Sequence, residues 1–143
     1  MNFLENIFSR LNAAAARVIL TEAHVGGMTP AGQAGTERTA TGAELLAQIV
    51  TARAFLHDGG LVKGERCALI APNSIRWAAL DLAILAEGLI AVPLYARQAP
   101  NELVAMLRDA EPGLICCSDA PLGDAIAAAW SCSRWGPASA ARS

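Results

Sequence analysis

Three short apolar runs separated by helical segments constrain the fold of this 143-residue chain more than any other feature. They read "RCALIA" (Arg66–Ala71), "LIAVPL" (Leu89–Leu94) and "LICCS" (Leu114–Ser118). Strands that are apolar on both faces and alternate with helices are typical of a parallel sheet covered on both sides. We therefore predict an α/β fold, with a mostly parallel sheet, helices on both faces and right-handed crossovers.

A threonine-led helix precedes the first of these strands. Thr41 and Glu44 have the spacing of a capping box, in which each side chain bonds the backbone amide of the other residue. An apolar stripe follows at helical spacing, formed by Leu45, Ile49, Ala52 and Leu56. Gly59 and Gly60 end the pattern, so the sequence predicts an amphipathic helix from Thr41 to Asp58.

The next predicted helix, Ile75–Glu87, is apolar on almost every side, and Ser74 supplies its capping oxygen. Its polar ridge is narrow and consists of Arg76, Ala83 and Glu87. Asp81 lies away from that ridge, and it either pairs internally or faces a neighbour outside this segment. A helix of this kind is typical of the interior of a large body. The pattern therefore predicts that these residues belong to something bigger.

The remaining segments complete the alternation. Asn2–Ala16 has apolar residues at helical spacing, and Arg17–Ala23 and Glu37–Ala40 are predicted to pair as a hairpin with a long loop. Further helices are predicted at Pro100–Ala110 and Pro121–Trp130. Leu89–Leu94 ends in a polar loop, Tyr95–Ala99, at the carboxyl edge of the sheet, where folds of this class bind ligands.

No motif that carries catalysis or phosphate binding is complete. Gly27–Gln33 follows a strand as a phosphate loop does, but glutamine stands where that loop needs lysine. His24 and His57 have no second ligand or nucleophile at a telling spacing, and Ser74 is not set in G-x-S-x-G. The four cysteines, at positions 67, 116, 117 and 132, suit neither a metal chelate nor a disulfide framework. We predict free thiols and no catalytic, cofactor-binding or metal-ligating residue.

Charge and hydropathy exclude two classes of partner. The formal net charge of -2 provides no basic field for nucleic acid. The most apolar stretch, Leu82–Ala96, is shorter than a membrane span and contains Glu87. Because no signal peptide is evident either, we expect a cytoplasmic protein without a transmembrane segment.

From Arg38 to Asp119 the order of these signals resembles the adenylate-forming (AMP-binding) synthetases and ligases. The matching segments are "TATGAELL", "GERCALIAPN", "LAILAEGLIAVPLYARQAPNEL" and "GLICCSD". Within that family, "PLYARQAP" is most similar to long-chain fatty acyl-CoA synthetases. The family usually has an aromatic residue where Gly42 stands, so we expect weaker local packing there. The resemblance implies the N-terminal part of the large domain of such an enzyme.

The resemblance also implies a chemistry, namely ATP-dependent adenylation of a carboxylate followed by thioester formation. ATP, Mg²⁺ and coenzyme A are the cofactors expected for the full-length family. The phosphate loop, the adenine and ribose contacts and the C-terminal lysine domain of the family have no counterpart in this sequence. We therefore expect this fragment to bind none of these cofactors and to be inactive alone. The alternatives are a non-catalytic piece that completes a ligase in trans, or a small α/β binding module.

Composition divides the chain into three parts. Residues 1–37 form a helix and a hairpin, residues 38–130 an incomplete α/β unit of the ligase domain, and residues 131–143 an unstructured tail. The tail has no acidic residue and no periodicity, which is typical of a shifted reading frame in GC-rich DNA. A natural disordered terminus is the alternative interpretation.

Overall fold

The computed structural model describes residues 2–22 and 37–132. These ranges contain five helices and five strands in the predicted order. The elements are α1 (Phe3–Ala13), β1 (Val18–Glu22), β2 (Arg38–Thr41), α2 (Gly42–Asp58), β3 (Arg66–Ile70), α3 (Ile75–Ala86), β4 (Ile90–Leu94), α4 (Pro100–Ala110), β5 (Leu114–Cys117) and α5 (Ala120–Cys132). Helix α1 begins one residue later and ends three residues earlier than predicted, and α5 continues two residues beyond Trp130.

The central sheet has three parallel strands in the order β4-β3-β5. Ile70, at the end of β3, lies opposite Leu94 on one side and Cys117 on the other, so the carboxyl ends of all three strands meet at one edge. Four of the five residues of β3 are buried. The predicted parallel sheet is confirmed, with the most apolar strand at its centre.

Helices cover both faces of this sheet. Cys67 points into a cluster formed mainly with α2 and α3, while Ala68 and Ile70 point into a second cluster formed with α4 and α5. This alternation follows from the two-residue period of a strand. The prediction of helices on both faces is therefore confirmed.

Strands β1 and β2 form the predicted antiparallel hairpin, with Glu22 opposite Arg38. Phe8 and Leu11 of α1 pack against the same cluster as α2 and α3, so the N-terminal elements join the core of the α/β unit. The connecting loop, which includes His24 and the segment Gly27–Gln33, lies outside the described residues. So do residues 133–143 of the predicted tail.

The first turn of α2 depends on a glycine. Gly42 is buried, and a Cβ there would collide with the carbonyl oxygen of Leu11 and come within 2.6 Å of that of Ala14. The amides of Gly42 and Ala43 donate to the carbonyls of Arg17 and Ala15 at 3.2 and 3.0 Å. The expectation of weak packing at Gly42 is therefore wrong, because the missing side chain is what lets α1 approach.

The polar ridge predicted on α3 is also partly wrong. Arg76 is exposed, but Ala83 is completely buried, because its methyl group is small enough for α3 to lie close to its neighbours in the first cluster. Glu87, just beyond the helix, is bound by Arg53 of α2 at 2.6 Å rather than by water alone. Of the three residues predicted to form the polar ridge, Arg76 is thus the only exposed one.

Glycine and proline bound β4 as the sequence indicates. Gly88 has a φ of 71°, in the left-handed region, and its Cβ would lie 2.9 Å from Cγ of Lys63. The amide of Ile90 donates to the carbonyl of Glu65, just before β3. Because backbone amides alternate in direction along a strand, those of Ala91 and residue 93 face away from β3. Pro93 is therefore accommodated on the outer side of an edge strand, where no donor is needed.

Candidate functional site

The carboxyl edge of the sheet is the candidate site, because doubly wound folds bind ligands outside the carboxyl ends of their strands. Three loops meet there: residues 71–74 after β3, residues 95–99 after β4, and residues 118–119 after β5. The predicted loop of residues 95–99 contains a turn, in which the Gln98 amide donates to the Tyr95 carbonyl at 3.0 Å. Tyr95 is 63% exposed at this edge.

The first loop caps the N-terminus of α3. Ser74 Oγ accepts from the Trp77 amide at 3.0 Å, which confirms a capping role for this serine. A carboxylate oxygen of Glu22, from the end of β1, accepts from the Ile75 amide at 3.2 Å. Two amides of this helix terminus are therefore already satisfied, one of them by a negatively charged group.

Glu22 is a residue that sequence reasoning missed. It lies 53 positions from Ile75, and nothing in its local sequence distinguishes it from a solvated strand residue. Only the position of the hairpin beside α3 brings the two together. Its carboxylate places negative charge at the positive end of a helix, which is the favourable end for an anion.

The third loop is likewise self-contained. Asp119 Oδ1 accepts from the Leu122 amide at 2.9 Å, and Oδ2 accepts from the Ser118 hydroxyl at 2.8 Å. The amide of Leu122, followed by the Ser118 hydroxyl, holds the pKa of Asp119 below its usual range. Asp119 therefore starts α5 as an ionised cap and has little need of a ligand.

The middle loop is different, since α4 has no side-chain cap. Ala99 stands at the cap position and Pro100 opens the helix. The amides of Glu102 and Leu103 donate to the Ala99 carbonyl. Arg97 is exposed and makes no hydrogen bond or ion pair with the described residues. A helix terminus and a solvated arginine do not by themselves define a binding site.

The three described thiols lie on strands β3 and β5, and Cys117 directly precedes the third loop. Cys116 contacts the first core cluster and Cys117 the second, as expected for neighbours on a strand. A hydrogen bond to Cys116, together with burial, raises the pKa of Cys67. Cys67, Cys116 and Cys117 are free, in agreement with the prediction, and the side chain of Cys132 lies outside the description. Cys67 and Cys116 are two residues out of register, which disfavours a disulfide.

The other candidates from the sequence stand apart from this edge. His57 is exposed in the last turn of α2. Asp81 is partly buried on α3, and burial raises its pKa. A cavity of about 590 Å³ lies beside α1 and β1 and is lined by Arg10, Leu11, Ala13, Ala14, Ala16, Arg17 and Ile19. The structure brings none of these acids, histidines and arginines together as a catalytic set in the described ranges.

Residues 2–22 and 37–132 contain neither a metal-binding cluster nor a membrane-spanning helix. No three cysteine, histidine or acidic side chains come close enough to share a metal ion. No helix in this part of the chain is long and apolar enough to cross a membrane.

At this edge Glu22, Ser74 and Asp119 cap the chain's own helices α3 and α5, and comparison with known proteins decides the family. Residues 10–135 match the sequence model of the AMP-binding enzymes. The chain belongs to this family. The match includes the described elements from the last turns of α1 to the end of α5.

Curated relatives within the family are long-chain-fatty-acid–CoA ligases. FadD15 of Mycobacterium bovis and FadD15 of Mycobacterium tuberculosis are each 35% identical to this chain over 71 residues. The aligned region covers 50% of this chain and 12% of each relative, so the similarity spans about one-eighth of the ligases.

Solved structures of AMP-binding enzymes share the fold. VinN in complex with L-aspartate superimposes with a TM-score of 0.74 and 22% identity, over 90% of this chain and 30% of that chain. The N-terminal domain of FACL13 from Mycobacterium tuberculosis gives 0.72 and 24%, over 90% and 31%. ATP-bound MatB from Rhodopseudomonas palustris gives 0.62 and 28%, over 88% and 23%. The chain thus has the fold of part of the N-terminal domain of these enzymes.

Proposed function

We propose that this chain serves as the N-terminal scaffold of an ATP-dependent acid–CoA ligase that acts on long-chain fatty acids. The observation that carries the proposal is the family match over residues 10–135, with 35% identity to FadD15 over half of the chain. In such a ligase a carboxylate is adenylated by ATP with Mg²⁺, and coenzyme A then takes the acyl group. The domain division at residues 37 and 130 and a cytoplasmic location are parts of the same proposal.

The described residues do not fit ATP on their own. At the carboxyl edge, Glu22 and Asp119 place carboxylates on the N-termini of α3 and α5, where a phosphate group would otherwise bind. Phosphoryl chemistry also requires cationic or amide donors aimed at the developing charge. Because Arg97 is the one basic side chain in the three edge loops, we derive no reaction step from this chain. Its role in the proposal is to hold the sheet on which the rest of the ligase builds the site.

The first test is ATP–pyrophosphate exchange with palmitate as the acid. We expect the purified 143-residue chain to give no exchange above a protein-free control, and intact FadD15 assayed in parallel to give a clear signal. Exchange by the isolated chain that disappears on denaturation would show that it is a complete adenylating unit and would refute the scaffold proposal.

The second test is a chimera in which residues 10–135 of this chain replace the matching segment of FadD15. If the chain is a ligase scaffold, the folded chimera should carry out palmitate-dependent exchange. A control chimera that receives an unrelated α/β segment of the same length should not. A folded but inactive chimera would count against the proposed activity.

A further inference from the structure

One side of α3 carries an apolar stripe that is interrupted by a single carboxylate. Trp77, Asp81 and Leu85 are spaced four residues apart and therefore lie on one side of the helix, with Ala78 beside them. All four are partly exposed. In the described ranges, neither Trp77 nor Leu85 is among the apolar residues packed on the two core clusters. We call this surface the Asp81 stripe.

Asp81 makes no hydrogen bond or ion pair with any residue in the described ranges, and burial raises its pKa. The basic side chains around α3 are directed elsewhere. Arg53 binds Glu87 at 2.6 Å, and the stem of Lys63 lies against Gly88. Arg76 is exposed and projects from a different side of the helix. In the part of the chain that the structure describes, this partly exposed carboxylate thus lies beside apolar side chains and is paired with no cation.

We propose that the Asp81 stripe is the surface on which the body of the ligase docks, and that this body presents a basic side chain, flanked by apolar groups, to the Asp81 carboxylate. The inference rests on the proposed function and names the chemistry of the partner surface. An apolar stripe alone would accept many partners. A carboxylate within it selects a cation, because burying the charge unpaired is strongly unfavourable.

Two observations support a ligase body as the occupant. The solved structures that share the fold are much longer, since the match covers 30% of VinN and 31% of the FACL13 N-terminal domain. A body of that size is therefore present in proteins of this architecture. Trp77 and Leu85 also supply the apolar contact area that closes around an interfacial charge pair.

The isolated chain provides the first measurement. Asp81→Asn keeps the shape of the side chain and removes the charge, so we expect the melting temperature to rise by roughly 1–2 °C. Asp124→Asn, at an exposed position of α5, is the matched control and should leave the melting temperature unchanged. A clear fall on Asp81→Asn would mean that Asp81 already has a cationic partner within this chain, and would overturn the proposal.

The FadD15 chimera provides the second measurement. There the same Asp81→Asn substitution removes one member of a buried charge pair, so we expect the melting temperature to fall by several degrees while Asp124→Asn again has no effect. Docking therefore predicts that Asp81→Asn raises the melting temperature of the isolated chain and lowers that of the chimera. A rise or no change in the chimera would overturn it. Pyrophosphate exchange is assayed separately, so a stable but inactive chimera counts against the proposed function only.

If the chimera does not fold, hexylguanidinium added to the isolated chain decides the question, because it combines a cation with an apolar tail. We expect saturable shifts of the Trp77 indole and Leu85 methyl NMR signals, at least fivefold weaker binding after Asp81→Asn, and no such shifts with hexanoate. Absent shifts, or shifts that Asp81→Asn leaves unchanged, would overturn the proposal.

Discussion

Helices α3 and α4 are both crossovers of the same parallel sheet, yet they differ in how completely this chain buries them. Helix α4 buries Leu103, Val104 and Leu107, and most of its other side is polar. Helix α3 is apolar on nearly every side and leaves Trp77 and Leu85 partly exposed around Asp81. Among the described residues, the crossover on one face of the sheet is covered on its apolar side, whereas its counterpart on the other face leaves part of its apolar surface exposed.

The difference shows that a helix can be well positioned without being fully covered. At their N-termini the two helices rank the other way: the less covered helix, α3, has the better cap. It begins with a serine cap and a carboxylate from the hairpin, while α4 begins with alanine and proline. Local capping and tertiary coverage are thus independent properties. Family membership gives the contrast a functional meaning, because the solved relatives are about three times longer than the part that matches.

The largest effects should come from the two buried interfaces. Ile84 of α3 and Leu107 of α4 are both 0% exposed. Truncating either one to alanine should lower the free energy of unfolding by about 2–5 kcal/mol, because each substitution leaves a cavity. Urea titration followed by circular dichroism measures both.

Met106→Ala is the control for the core variants, since Met106 is 38% exposed on α4. It should change the unfolding free energy by only about 0.5 kcal/mol. If Ile84→Ala left the free energy of unfolding unchanged while Leu107→Ala lowered it, the comparison would fail, because α3 would then not be packed as described.

Gly42→Ala should have the next largest effect, on the α3 side only. The added methyl group collides with the Leu11 carbonyl, and we expect a loss of about 1–3 kcal/mol as α1 moves away from α2. Hydrogen exchange should accelerate in α1 and α2 more than in α4. Gly123→Ala in α5 meets no atom within 4 Å and should stabilise by about 0.5–1 kcal/mol. Equal acceleration on both faces would contradict the expected localisation.

A pair of cap substitutions should sharpen the contrast between the helix termini. Ser74→Ala removes the α3 cap and should cost about 1 kcal/mol. Ala99→Asp places a cap on α4 at a position with extended backbone and should stabilise by about 0.5–1 kcal/mol. Thermal melts of the two variants should shift in opposite directions. Shifts in the same direction would show that α4 is satisfied in some other way.

The smallest effect should be the acid dependence of two exposed caps, one on each side of the sheet. Hydrogen bonds from Thr41 lower the pKa of Glu44, and the Leu122 amide and Ser118 lower that of Asp119. Both groups therefore stabilise the fold above their ordinary pKa values of 4.5 and 3.8, and this contribution is lost as pH falls through the lower folded values.

Glu44→Gln and Asp119→Asn test this dependence separately. Each variant should reduce the slope of stability against pH on the acid side and leave the slope near neutral pH unchanged. A variant that retains the full acid dependence would show that its carboxylate is not linked to folding.

Part of the fold, and Ser74 of the site, could be predicted because their signals are local. The Thr41–Glu44 box, Ser74 and Gly88 act within three or four residues, so spacing alone indicates their roles. Glu22 could not be assigned in the same way, because its contact with Ile75 spans 53 positions and depends on where the hairpin lies.

The sequence by itself determined the order of elements, the parallel sheet and the caps at Thr41 and Ser74, since apolar periodicity and capping act over short distances along the chain. The tertiary structure alone decided that Gly42 and Ala83 are close contacts and that Asp81 has no partner among the described residues. Close packing explains this division. A single glycine or alanine adds nothing to the apolar periodicity of the sequence, and its effect on packing depends on the atoms that another segment places beside it.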